Sequence, residues 1–144
     1  FADDPWPEPP KKLTAMITRM DGDVGRLLAL LQELGLDENT LVFFASDNGA
    51  AYNDDLFNHS GPLRGRKRDM YEGGIRSPSI ARWPGRIEAG TVSDQVWAFW
   101  DVLPTLAEIA EAKVPVKGDG ASITRTLAGR EQPDHQIGEP DQPA

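Results

Sequence analysis

Apolar residues at Leu13, Met16, Ile17, Met20, Val24, Leu27, Leu28, Leu31 and Leu34 keep a three-and-four spacing over about six helical turns. That spacing predicts an amphipathic helix burying one stripe. Gly35 stands where a left-handed C′ residue is wanted, and Asp37-Glu38-Asn39 supply a polar turn. Leu41-Val42-Phe43-Phe44-Ala45 follows, apolar on both faces, as in a central strand of a covered parallel sheet. Helix, short turn and buried strand make half of an α/β unit. Periodicity then disappears from Asp47 to Ser77, a stretch rich in Asn, Asp, Gly and Arg; a gap of that length inside a domain marks a functional loop or a mistaken assignment. Ser79 to Trp83 predicts a second strand stopped by Pro84-Gly85, and Val92 to Phe99 a third short extended piece. Asp101 is placed to N-cap a helix over Val102 to Glu111, with Pro104 tolerated in its first turn. A short helix is expected around Ile123 to Leu127, and residues 134–144 form a weakly structured tail with little to bury. The elements make a small core for 144 residues, which suggests an incomplete domain.

Composition narrows the chemistry. The chain has no Cys, which removes disulfides, thiolate zinc sites and a cysteine nucleophile from this stretch. Apolar runs stop at five residues, as in Leu27 to Leu31, against the roughly twenty a membrane span needs. The first residues, Phe1-Ala2-Asp3-Asp4, have neither an initiator Met nor a signal-peptide pattern, so the chain reads as a mature product or a piece of something longer. The net charge is −8, yet from Gly61 to Gly90 seven Arg or Lys face three acids. A basic island in an acidic chain suits a small anion better than a nucleic acid, whose long backbone the surroundings would repel. Solvated surface arginines are the other reading.

Two stretches offer site chemistry. Ser46-Asp47-Asn48-Gly49 lies at the carboxyl end of the most buried predicted strand, the edge where open α/β sheets bind ligands. A carboxylate and an amide side by side give two oxygen donors suited to a hard cation such as Ca²⁺ or Mg²⁺, although the same tetrapeptide also forms plain turns. In Gly61 to Arg76, glycines flank a cluster of cations, so the backbone can wrap a bound oxyanion and a lysine can hold one of its oxygens. Glu72, ahead of two glycines, would suit a buried carboxylate anchoring one of the arginines.

The two stretches, with Pro62-Leu63-Arg64-Gly65, Lys67-Arg68-Asp69-Met70-Tyr71-Glu72-Gly73-Gly74-Ile75-Arg76, Ala81-Arg82-Trp83-Pro84-Gly85 and Asp101-Val102-Leu103-Pro104-Thr105-Leu106, closely resemble the arylsulfatase-like sulfatases. The resemblance runs from about Pro5 to about Pro133 and includes the helix around Met20, Asp23, Val24 and Gly25. It implies an α/β fold, here part of an alkaline-phosphatase-like sandwich whose mixed, mostly parallel sheet is flanked by helices. Residues 1–133 would then be a partial catalytic domain. The implied activity is hydrolysis of sulfate esters, using a formylglycine made from Cys or Ser and a Ca²⁺ ion, with Mg²⁺ the lesser alternative. Carried over by position, Asp47 and Asn48 match one pair of metal ligands, Lys67 matches the lysine that contacts the sulfate, and His59 lies in a loop facing the substrate.

Other parts of the family's site, namely its first acidic metal pair, its formylglycine motif and a Lys and His, would precede Phe1. Its C-terminal antiparallel subdomain would follow Pro133. The expected partners are therefore a sulfated small molecule or sulfated carbohydrate and the remainder of the same domain, with no nucleic acid and no membrane. The chain alone is expected to be inactive, and a periplasmic or secreted home follows from family habit. A phosphoester or phosphonate hydrolase of the same superfamily and a noncatalytic anion-binding remnant are the alternatives. Ser60-Gly61-Pro62-Leu63-Arg64 fits the bare Ser-x-Pro-x-Arg spacing of a formylglycine motif, but it lacks the small polar residue before Arg and the Leu-Thr-Gly that usually follow, and is read as a decoy. His135 is read as incidental.

Overall fold

The computed structural model describes residues 1–51, 56–113 and 118–133. His135 and the tail from 134 lie outside the described residues. The chain divides into two compact units, Phe1–Trp83 and Pro84–Ala144.

In the first unit, helix α1 spans Glu8–Glu33. Pro9 and Pro10 sit in its opening turn, where missing amide protons cost nothing. Gly35, at φ +68°, ends it: the Gly35 N–H donates to the Gln32 carbonyl at 3.0 Å and the Leu36 N–H to the Leu31 carbonyl at 2.9 Å. This pair of bonds is the Schellman arrangement expected from the sequence. The expected burial is not found. Met16 is 69% exposed and Leu27 63%, and Pro10 is the buried residue of the helix. The apolar stripe needs an opposing layer, and the described element against which α1 packs most is the short 3₁₀ turn Asp37–Asn39.

Strand β1 (Val42–Ala45) pairs with β2 (Ser79–Arg82), with Val42 opposite Arg82 and Ala45 opposite Ser79. The pair is antiparallel. The parallel ladder expected for β1 is thus not formed among the described residues, because the strand beside it arrives through a loop and not through a covering helix. At the end of β2, the Arg82 guanidinium donates to both carboxylate oxygens of Asp37, at 2.6 and 2.9 Å, and the indole N–H of Trp83, the next residue, donates to the Glu38 carbonyl at 3.0 Å. The turn after α1 is thereby fastened to the end of β2. The Arg82 hydrogen bond holds the Asp37 carboxyl below its usual range, and Asp37 in turn raises Arg82.

In the second unit, residues 92–98 contain no strand, contrary to expectation. A 3₁₀ turn over Phe99–Asp101 leads into α3 (Val102–Ile109), and α4 (Thr124–Leu127) falls where the short helix was predicted. Asp101 precedes α3 as expected, but its side chain does not cap that helix. One carboxylate oxygen accepts from the Ala98 N–H and the other from the Ala121 N–H, both at 2.8 Å. Thr105 completes the node: its hydroxyl donates to the Asp101 carbonyl at 2.5 Å and accepts from the Ile123 N–H at 3.0 Å. Asp101 and Thr105 are fully enclosed and Ile123 is buried beside them. This unit is therefore centred on satisfied polar groups.

Candidate functional site

Asp47 and Asn48 leave β1 on a turn held at both ends. The Ser46 N–H donates to the Pro78 carbonyl at 3.2 Å, and the Ser77 hydroxyl donates to the Ser46 carbonyl at 2.8 Å. The Ser46 hydroxyl reaches the Asn48 carbonyl at 3.1 Å. Asp47 is exposed and Asn48 half-buried.

The basic loop is stitched to this turn by its backbone. The Gly49 N–H donates to the Gly74 carbonyl at 2.9 Å, and the Lys67 N–H to the Ala50 carbonyl at 2.7 Å. Gly49, Gly73 and Gly74 are buried. A Cβ at Gly49 would collide with the Gly73 carbonyl, one at Gly73 with the Gly65 carbonyl, and one at Gly74 with the Asp69 carbonyl. The Glu-Gly-Gly run, read as α2 (Glu72–Ile75) in the structure, thus lets three backbone segments meet where any side chain would separate them.

Lys67 sits at the second position of a β-turn over Arg66–Asp69. The turn is closed by the Asp69 N–H on the Arg66 carbonyl at 2.8 Å, and the Asp69 carboxylate accepts from the Arg66 N–H at 3.0 Å. Arg68, the third residue, has φ +84°, a region that turns of type II reserve for glycine. Lys67 is exposed at the tip. The surrounding cations divide: the Arg64 guanidinium lies 3.7 Å from the Tyr71 ring centroid, whereas Arg76 meets Glu72 at 3.8 Å with both side chains exposed. Glu72 is therefore a loose surface partner and not the buried anchor the sequence suggested.

The backbone brings the segments carrying Asp47, Asn48 and Lys67 together, and a cleft of about 280 Å³ adjoins them. Gly49, Ala50, His59, Ser60, Gly73 and Arg76 are among its lining residues. His59 is exposed, with its ring 5.5 Å from that of Phe57. Ser60, of the decoy motif, is buried and its hydroxyl donates to the Gly65 carbonyl at 3.1 Å. That bond ties the loop across its neck, a scaffold role that needs no modified side chain. Sequence reading missed the enclosed Asp101 and Thr105 node; a Thr four residues after an Asp is the signal it leaves. Among the described residues no cluster of three or more His, Cys, Asp or Glu could by itself hold a metal ion.

An Asp-Asn turn at the end of β1 is thus joined, through backbone bonds at buried glycines, to the basic loop that carries Lys67. The family model of the sulfatases matches residues 10–112, and the chain belongs to that family. N-acetylgalactosamine-6-sulfatase of Mus musculus is 40% identical over 127 residues, covering 84% of this chain and 24% of the relative. Steryl-sulfatase of Homo sapiens is 38% identical over 130 residues, covering 84% and 22%. The PsFucS1 sulfatase from Pseudoalteromonas sp. superposes with a TM-score of 0.66 at 33% identity, covering 79% of this chain and 24% of the other. A protein solved in complex with k-i-k-neocarrahexaose gives 0.77 at 29% identity, covering 91% and 29%. The chain thus spans about a quarter of the length of the curated relatives it matches.

Proposed function

We propose that this chain is a section of a sulfuric ester hydrolase and supplies part of its metal and sulfate site. Asp47 and Asn48 are assigned to a divalent cation, Lys67 to the sulfate group, and His59 to the substrate beyond it. The donor set fits the ion: a carboxylate and an amide oxygen are hard ligands, and Ca²⁺ takes six to eight of them. The two present here need completion from residues outside this chain. When bound, such an ion polarises the nonbridging oxygens of the ester.

Lys67, a compact charge on a flexible stem, balances negative charge as the ester oxygen departs. Its backbone N–H, bonded to Ala50, fixes the loop that bears that charge beside the proposed cation ligands two and three residues upstream of Ala50. The bond between these loops, found within a stretch that matches the sulfatase family, is the observation that carries the reading. Structural neighbours solved with k-i-k-neocarrahexaose and with D-glucosamine-2-N,6-O-disulfate favour a sulfated carbohydrate as substrate.

The test uses the full-length protein containing this segment. A chromogenic aryl sulfate should be hydrolysed, chelation of divalent cations should stop it, and Lys67→Ala should lower kcat/KM by about a hundredfold or more. Faster turnover of the matching aryl phosphate would move the assignment to a phosphoester hydrolase.

A further inference from the structure

From His59 at the cleft a row of rings leads to Phe57, Trp6 and Phe1, three residues that the hydrolytic reading does not use. The His59 ring stands 5.5 Å from Phe57, the Phe57 ring meets Trp6 edge-on at 5.3 Å and 83°, and Phe1 stacks on Trp6 at 6.0 Å and 21°. His59 is exposed and lines the cleft, while Phe57 and Trp6 are half-buried. Each ring is braced by the next, so the row can present a face without first being ordered. Trp6 precedes α1 and Phe57 lies in the loop between β1 and α2, so residues distant in the chain converge in this row, which reaches the cleft through His59.

We propose that Trp6 and Phe57 form a stacking wall for the sugar ring of a sulfated carbohydrate, with His59 as its polar end at the cleft. The proposal rests on the sulfatase reading above. A pyranose offers an apolar face of C–H groups, which packs on an aromatic plane, and a rim of hydroxyls, which an imidazole can meet by donating or accepting. A flat hydrocarbon face alone would serve a protein partner equally; its link through His59 to a cleft beside the basic loop favours a ligand carrying both a ring and an anion. Arg76, also in the cleft lining and only loosely paired with Glu72, adds a cation for a second anionic group on the same ligand.

The full-length protein would be assayed on a sulfated oligosaccharide and on a small aryl sulfate lacking sugar. In Trp6→Leu and Phe57→Leu the ratio of kcat/KM for oligosaccharide over aryl sulfate should fall about tenfold, chiefly through KM, the loss expected for one ring contact. Trp6→Phe and Phe57→Tyr retain a ring and should keep the ratio within about twofold. An unchanged ratio in the leucine variants, or an equal loss in the ring-retaining ones, would overturn the wall while leaving the sulfatase reading intact. If the unsubstituted protein cleaves neither sulfate ester, both fall together.

Discussion

Arg68 occupies a left-handed position, at φ +84°, where a side chain is disfavoured. Its replacement by glycine should raise stability by up to about 1 kcal/mol if relief of strain exceeds the added chain entropy, read as the denaturant midpoint of Arg68→Gly. The reverse exchange at Gly73 should be far less tolerated, because the new Cβ would meet backbone carbonyls on either side of Gly65's amide. Overpacking of that kind costs about 1–3 kcal/mol, and Gly73→Ala should also separate the loops bearing Asp47 and Lys67. The Asp37 and Arg82 pair predicts a pH dependence. A carboxyl held below its usual range contributes stability that is present above the unfolded pKa and is lost as pH falls through the folded one. The gap in melting temperature between the chain and Asp37→Asn should therefore be constant near neutrality and close on acidification below the ordinary carboxylate range. Arg82 is raised further from neutrality and adds no transition there. These residues were visible in the sequence to different degrees. The Asp-Asn-Gly turn and the Gly-Gly pair announce themselves by composition, whereas Asp37 and Arg82 lie 45 positions apart, and nothing local marks them as partners.

Among the elements, legibility follows how local the determining forces are. The stop of α1, the position of β2 and the short α4 rest on Gly35 and runs of apolar residues, and the sequence reading found them; the start of α1 at Glu8, five residues before the first apolar position of the stripe, it did not. The partner of β1 depends on which strand arrives beside it, which a five-residue apolar run does not encode. The fate of the α1 stripe was misjudged for a similar reason: periodicity gives the face, not the layer that covers it. A short extended piece was expected over Val92 to Phe99, yet residues 92–98 form no strand and lead into a turn organised by Asp101. That carboxylate accepts two backbone N–H groups in a fully enclosed setting. Asp101→Ala would leave both donors unmet, at about 1–3 kcal/mol apiece before relaxation. The expected outcome is loss of α3 and α4 helicity at temperatures where the first unit keeps its Trp83 to Glu38 bond, followed by hydrogen exchange of the Ala121 and Ile123 amides.

At the scale of the whole molecule, the exposed apolar surface and the proposed site call for the same completion. Met16, Leu27, Leu34, Ile80 and Leu106 are among the large hydrophobic side chains exposed by this chain, and a stable monomer rarely leaves so many uncovered. The chain spans about a quarter of the curated sulfatases it resembles, and the proposed site, with two oxygen donors and one lysine, would need further ligands and a nucleophile. The two shortfalls predict a single behaviour. Expressed alone, the 144-residue chain should self-associate through these faces, and Met16→Glu with Leu27→Glu should shift it toward monomer in analytical ultracentrifugation. It should not turn over aryl sulfate with Ca²⁺ present. Co-expressed with the remaining segments of a full-length relative, the unsubstituted chain should become soluble and regain divalent-cation-dependent hydrolysis, while the doubly charged variant should remain soluble and inactive, because a glutamate on the α1 stripe would have to be desolvated against the incoming layer. Recovery of activity by the charged variant to the unsubstituted level would show that α1 does not pack on the remainder. Sustained turnover by the lone chain would show that its donors suffice.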